Sequence, residues 1–280
     1  MSATASDVTR ITEEYYDSDD ADRFYHTVWG GEDIHVGLYE GPDDTIADAS
    51  RRTVERMASY LSWLGPKARV LDLGAGYGGS ARYLASRYGC HVTCLNLSRV
   101  ENARNEAMNR QQGLSEKVGV VHGSFEDIPY GDDSFDLIWS QDAILHSGNR
   151  VRVLEEAVRV LGSKGEMIFT DPMQADHVPD PAVLQPIYDR IHLPNLASVA
   201  FYRDNLTRLG LKEKRVEVMT PHMAVHYGRI RRELQERYRD IVKSVSKDYV
   251  DRMIDGLEKW VQGAESGVMA WGILYFGRDC

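Results

Sequence analysis

Residues 69–170 constrain the fold more than any other part of this chain, because short apolar runs and longer amphipathic ones alternate through them without interruption. Residues 69–73, 91–95, 118–122, 135–139 and 166–170 read as strands. Residues 79–88, 98–112 and 150–161 read as helices between them. Near-continuous apolar strands separated by helices are the mark of βαβ crossovers, with helices covering both faces of a mostly parallel sheet. The expected fold class is therefore α/β. Open sheets of this kind bind ligands in the loops after their strands. Here those loops are glycine-rich or polar: DLGAGYGG, LNLS, HGSFED and SQDAILHS.

The flanks differ from this core. Residues 1–45 are acidic yet carry Tyr15, Tyr16, Phe24, Tyr25, Trp29 and Tyr39, too aromatic a set for a disordered tail, so an ordered cap is expected. Residues 45–64 place Ile46, Ala49, Val54, Met57, Ala58 and Leu61 at helical spacing, and Gly65-Pro66 ends the run. Residues 172–186 hold Pro172, Pro179, Pro181 and Pro186 and read as a loop or lid. Residues 229–262 form an amphipathic helical region with a break near Ser246, its charges forming a solvated face. Residues 268–277 read as a strand, an edge strand or the last strand of the sheet. The chain thus divides into a cap over 1–45, a ligand-binding core over 46–175, and a lid, long helix and closing strands over 176–280.

Composition narrows the partners. A net charge of −10 over 280 residues disfavours nucleic acid and anionic membrane, which both need a basic footprint. Three cysteines, an odd number, argue against a disulfide framework and for a reducing compartment. Cys90 and Cys94 share one strand face and read as small buried hydrophobes. The start of the sequence has no apolar segment and no run of about 18 apolar residues occurs, so a cytoplasmic protein is expected.

What the glycine loop faces decides the function. Gly74, Gly76 and Gly79 fit the G-x-G-x-x-G spacing of dinucleotide sites, and a tight turn without any ligand gives the same pattern. Asp72, two residues before Gly74, would repel a pyrophosphate, and the bulky Tyr77 hinders its close approach. A ligand carrying an ammonium and a carboxylate but no phosphate suits the loop better: the acid pairs with the ammonium, and loop N–H groups meet the carboxylate. His222 and His226 lie four apart, as metal ligands on a helix do, but no cysteine or carboxylate cluster joins them, and no metal is expected.

The loop resembles the first motif of class I S-adenosylmethionine-dependent methyltransferases. Together with YYDSDDADRFYHTVWGGEDIHVGLYE, CLNLS, GSFEDIP, WSQDAILHS, TDPM, DRIHL, FYR and WGILYF, it resembles the sarcosine/dimethylglycine N-methyltransferases over most of the chain. The resemblance implies a Rossmann-like, mostly parallel seven-stranded sheet with an aromatic cap and a helical lid. It implies S-adenosylmethionine as cofactor, S-adenosylhomocysteine as its product, and sarcosine and dimethylglycine as substrates on the way to glycine betaine. Asp72, Gly74, Ala75 and Gly76 would hold the cofactor, with Asn96 and Leu97 at the ribose, Ser124 and Phe125 at the adenine, and Gln141 near the sulfonium. Asn96 stands where an acid is usual. DAILHS also resembles the phosphoethanolamine methyltransferases, in which a cap tyrosine works with this histidine; this implies Tyr16 and His146 as the catalytic pair. For such a reaction Tyr25 and Trp29 would face the methylated ammonium. Asp142 would stand at the substrate, and Arg190 and Arg203 would pair with its carboxylate. Alternative readings are a phosphoethanolamine-type N-methyltransferase, a sugar or natural-product O-methyltransferase, and a nucleoside-binding protein on the same fold.

Overall fold

Val70, Leu71 and Leu73 are fully buried, and the strand they build, β1 (Arg69–Leu73), has a parallel neighbour on each side. The computed structural model describes residues 13–278 except 15, 16, 30, 191, 192 and 194. The other strands are β2 (His91–Asn96), β3 (Val118–His122), β4 (Phe135–Gln141), β5 (Leu161–Gln174), β6 (Lys212–Val218) and β7 (Met269–Gly277). They form one sheet in the order β3-β2-β1-β4-β5-β7-β6. The first five run parallel, and β7 is antiparallel to both of its neighbours. This is the α/β sheet that the alternation predicts, in the Rossmann-like, mostly parallel seven-stranded form that the resemblance implies.

The C-terminal strand β7 is the last strand, one of the two places the sequence allows, and is not an edge strand, since it lies between β5 and β6. Its unbroken apolar run suits a strand covered on both faces. The true edge is β6, KEKRVEV, whose first four residues are exposed. Charged edge strands discourage pairing with other chains, but they also hide the strand from a reading based on apolar runs.

The helices are α1 (Asp19–Val28), α2 (Ile46–Ala58), α3 (Gly79–Tyr88), α4 (Arg99–Gln111), α5 (Arg150–Val160), α6 (Gln185–Arg190), α7 (Val199–Arg208), α8 (Thr220–Glu236), α9 (Tyr238–Ile241) and α10 (Lys247–Glu265). Side chains cap several of them as the sequence suggests: Thr45 accepts from the Asp48 N–H and Ser98 from the Glu101 N–H. The amphipathic region starts at Thr220, earlier than 229, and forms three pieces, broken at Arg237 and again at residues 242–246. The proline-rich stretch ends in a 3-10 turn and the short α6.

One apolar core links α1, α6, α8 and α10 with Trp271 of β7. This core roofs the strand tips. Below the roof, residues 32–39 cross the tips as a strap: the Val36 N–H donates to Asp142 Oδ2 at 2.7 Å, and the Gly37 N–H to His226 Nδ1 at 3.2 Å. No helix among the described residues is long and apolar enough to cross a membrane.

Candidate active site

From β1 the chain steps outward to β2 and β3 on one side and then returns from β3 to β4 on the other, and a sheet opens a crevice at such a switch point. Two adjoining cavities occupy it. The larger, with about 610 Å³ of empty space, runs past Gly74 and Gly76, then Asn96 and Leu97, then Phe125, to Gln141, Asp142 and His146. The smaller, about 300 Å³, is lined by Asp33 and His35 of the strap, by Asp72, Gly74, Ala75 and Gly79, and by Ser80 and Gln141. Gly74 and Gln141 border both.

Two glycines make this crevice possible. Gly74 has φ +70°, and a Cβ there would meet the Ala143 Cβ at 2.4 Å. A Cβ on Gly79 would stand 2.1 Å from Asp33 Oδ1. The Asp33 carboxylate therefore sits over the start of α3, where a dinucleotide enzyme places its pyrophosphate. Burial alone would raise the Asp33 pKa, but His35, Arg51 and Arg82 together hold it below the ordinary carboxylate value. Three acids, Glu32, Asp33 and Asp72, thus line this cavity, Glu32 being paired with Arg82, and they disfavour a phosphate ligand while suiting an ammonium. Burial pushes Asp72 up to about 7, and Asp33 adds to the effect.

At the second tip the Asn96 amide donates to Glu101 Oε2 at 2.8 Å. Glu101 is buried and lines the larger cavity, so an acid reaches this tip after all, from the first turn of α4. The sequence reading missed it. Ser98 followed three residues later by Glu101 looks like a helix-capping pair and nothing more. At the third tip Phe125 lines the cavity, but Ser124 does not: its hydroxyl accepts from the Glu126 N–H at 3.1 Å within its own turn. At the fourth, Gln141 Oε1 accepts from Ser80 Oγ at 2.5 Å and Trp139 Nε1 at 3.0 Å. Gln141 Nε2 is left buried without a partner among the described residues.

The far end of the larger cavity is held by the end of β4 and the turn beyond it. Asp142 adopts φ +51°, a conformation rare for a residue with a side chain. Its carboxylate accepts from the Val36 N–H and from Trp271 Nε1 at 2.8 Å, and burial raises its pKa. His146 ends a 3-10 turn, Ile144–His146, and borders the cavity. Both backbone groups of the preceding Leu145 are fixed: its N–H donates to Asp171 Oδ1 at 3.0 Å, and its carbonyl accepts from Arg150 Nη2 at 2.9 Å. Tyr202 donates to the other Asp171 oxygen at 2.6 Å. Burial pushes Asp171 up to about 7, with the Asp142 charge adding to the rise and Tyr202 opposing it. No reading of spacing along the chain singles out Asp171, Tyr202 and Arg150 as the clamp on the histidine turn.

The remaining expected site residues fall elsewhere. Tyr16 and the side chain of Arg190 lie outside the described residues. Tyr25 on α1 and Trp29, the residue that caps its end, are buried with ring centroids 5.0 Å apart, and Trp29 Nε1 donates to the His35 carbonyl. They pack in the apolar roof over the strap rather than lining either cavity. Arg203 is not brought to the site. Tyr202 and Leu206 take the inward face of α7, so Arg203 turns outward to pair with Glu213 at 2.7 Å. His222 and His226 use their Nδ1 atoms to hold the strap, accepting from the Tyr39 and Gly37 N–H groups. Burial, with His35 nearby, pushes His226 down to about 3, which keeps its ring neutral.

A glycine turn, an acid before it and a crevice at the switch point define a methyltransferase-type site, and residues 71–169 match the methyltransferase domain family. The sarcosine/dimethylglycine N-methyltransferase of Halorhodospira halochloris is 56% identical over 95% of this chain and 95% of its own. That of Aphanothece halophytica is 49% identical, over 98% of this chain and 99% of its own. The crystal structure of a protein from Galdieria sulphuraria, provisionally assigned as a sarcosine dimethylglycine methyltransferase, superposes with a TM-score of 0.90 at 44% identity; the match covers 95% of this chain and 99% of that one. The chain belongs to the sarcosine/dimethylglycine N-methyltransferases.

Proposed function

We propose that this protein methylates the nitrogen of sarcosine and of dimethylglycine, forming glycine betaine, with S-adenosylmethionine as methyl donor. One observation carries the reading: the 56% identity to the Halorhodospira enzyme runs over 95% of both chains, so the cap and helical roof match along with the core. The residues of the crevice fit the donor. Asp72 and the Gly74–Gly76 turn would hold its amino-acid end, Asn96 with Glu101 its ribose, and Phe125 its adenine. When bound, S-adenosylmethionine supplies an electrophilic methyl group and leaves as S-adenosylhomocysteine.

The acceptor is a zwitterion in water, so the protein must remove a proton before the nitrogen can attack. His146 is the base in this reading, reached directly or through Tyr16, since imidazole titrates near the working pH. Asp142 attracts the substrate ammonium and, being tied to strap and sheet, orients it. The roof of aromatic side chains keeps water from the transfer. Residues 1–45, 46–175 and 176–280 act as cap, donor-binding core and lid with closing strands. The test is a methylation assay with labelled S-adenosylmethionine against glycine, sarcosine, dimethylglycine and phosphoethanolamine. Incorporation into sarcosine and dimethylglycine is expected. Incorporation into phosphoethanolamine alone would overturn the assignment.

A further inference from the structure

The smaller cavity is rich in acid, yet any amino-acid ligand also brings a carboxylate that needs a counter-charge. Among its described lining residues there is no lysine or arginine, and the single basic side chain is His35. His35 comes from the strap, not from the glycine turn or the sheet. It is only 6% exposed. Its Nδ1 lies 3.2 Å from the Val36 carbonyl oxygen, while Nε2 is buried without a hydrogen-bond partner among the described residues. Asp33 Oδ1 lies 3.8 Å from that nitrogen, within ion-pair range of a protonated ring but too far for a hydrogen bond, and has no hydrogen-bond partner of its own among the described residues; the other Asp33 oxygen is taken by Arg51 at 2.9 Å. Unsatisfied polar atoms in the interior are costly. Two of opposite character, side by side in a cavity that also holds Asp72, mark a place made for a ligand with one group for each.

We infer that His35 is the counter-ion of the cofactor's carboxylate, while Asp33 and Asp72 take its ammonium. The inference rests on the crevice being an S-adenosylmethionine site. Because Nδ1 is committed to the Val36 carbonyl, Nε2 offers a proton when the ring is cationic, so the contact is a charge-assisted bond. The strap therefore completes the donor site as well as roofing the acceptor end, and Val36 ties the same segment to Asp142.

Calorimetry with three ligands tests this: S-adenosylhomocysteine, its decarboxylated analogue (ammonium but no carboxylate) and 5′-methylthioadenosine (neither). His35→Ala should weaken S-adenosylhomocysteine by about 10- to 100-fold and the other two by less than about threefold. His35→Asn keeps a polar group on the strap and should show the same selective loss, should alanine prevent folding. Equal losses for S-adenosylhomocysteine and its decarboxylated analogue would mean that His35 serves the ammonium or the fold, and would overturn the inference. So would no loss for any ligand. Wild-type protein that binds none of the three would instead refute the reading of the crevice itself.

Discussion

Asp72 offers the sharpest test of the donor site, because its charge should depend on pH in the range where the protein is handled. The carboxyl is almost fully buried, and burial lifts it to about 7, with Asp33 adding and His35 opposing. About one-tenth of it is then ionised at pH 6 and about nine-tenths at pH 8. A cationic ligand group requires the ionised form. Decarboxylated S-adenosylhomocysteine, which carries the ammonium alone, should therefore bind about tenfold more tightly at pH 8 than at pH 6. Asp72→Asn keeps the shape and removes the charge. It should flatten that slope and cost on the order of 3 kcal/mol at pH 8, as the loss of one partner from a buried ion pair does. Stability gives a second readout. The folded-state pKa is raised, so the native protein holds this proton more tightly than the unfolded chain does. Its contribution is complete below the ordinary aspartate value near 4 and is lost as pH rises through 7. Between those limits the variant should gain on wild type by about 1.4 kcal/mol per pH unit, on the order of 4 kcal/mol in all. Calorimetry across pH 6 to 8 and urea unfolding across pH 4 to 8 supply the data. An affinity that is flat with pH in wild type, or equally steep in Asp72→Asn, would refute the argument.

Asn96→Ala and Glu101→Ala should each weaken S-adenosylhomocysteine by about 1–3 kcal/mol, less than Asp72→Ala, and calorimetry giving the reverse order would reject the ribose assignment. His146→Ala should lower kcat by about 10²–10⁴-fold and abolish the ascending limb of the kcat–pH profile, whereas an unaltered profile would make the histidine a scaffold. Tyr16→Phe should lose most of the rate if the tyrosine relays the proton, and keep most of it if only the ring matters. Gly74→Ala should lower stability by about 1–3 kcal/mol through its positive φ and block ligand binding through the contact with Ala143, as thermal melts and calorimetry would show.

The parallel core was legible in the sequence because its signals are local. An apolar run with a glycine turn behind it forms β1 and starts α3 whatever else the chain does, and the same holds for the tips bearing Asn96, Phe125 and Gln141. The charged β6 was not legible, since an edge strand shows no apolar period. Nor was the interior place of β7, because a run of apolar residues records that it is buried but not between which neighbours. The site divides along the same line. Sequence by itself placed Asp72, the glycine turn and the DAILHS segment at the crevice, because each is a local signal at the end of a strand. Only tertiary structure brought His35 and Asp33 over α3, Glu101 to the tip beside Asn96, and Asp171, Tyr202 and Arg150 around the histidine turn. It also turned Arg203 away from the crevice, onto Glu213. These placements depend on how a strap, a lid and an antiparallel strand pack against the sheet, and contacts between residues far apart in the chain leave no periodic trace along it.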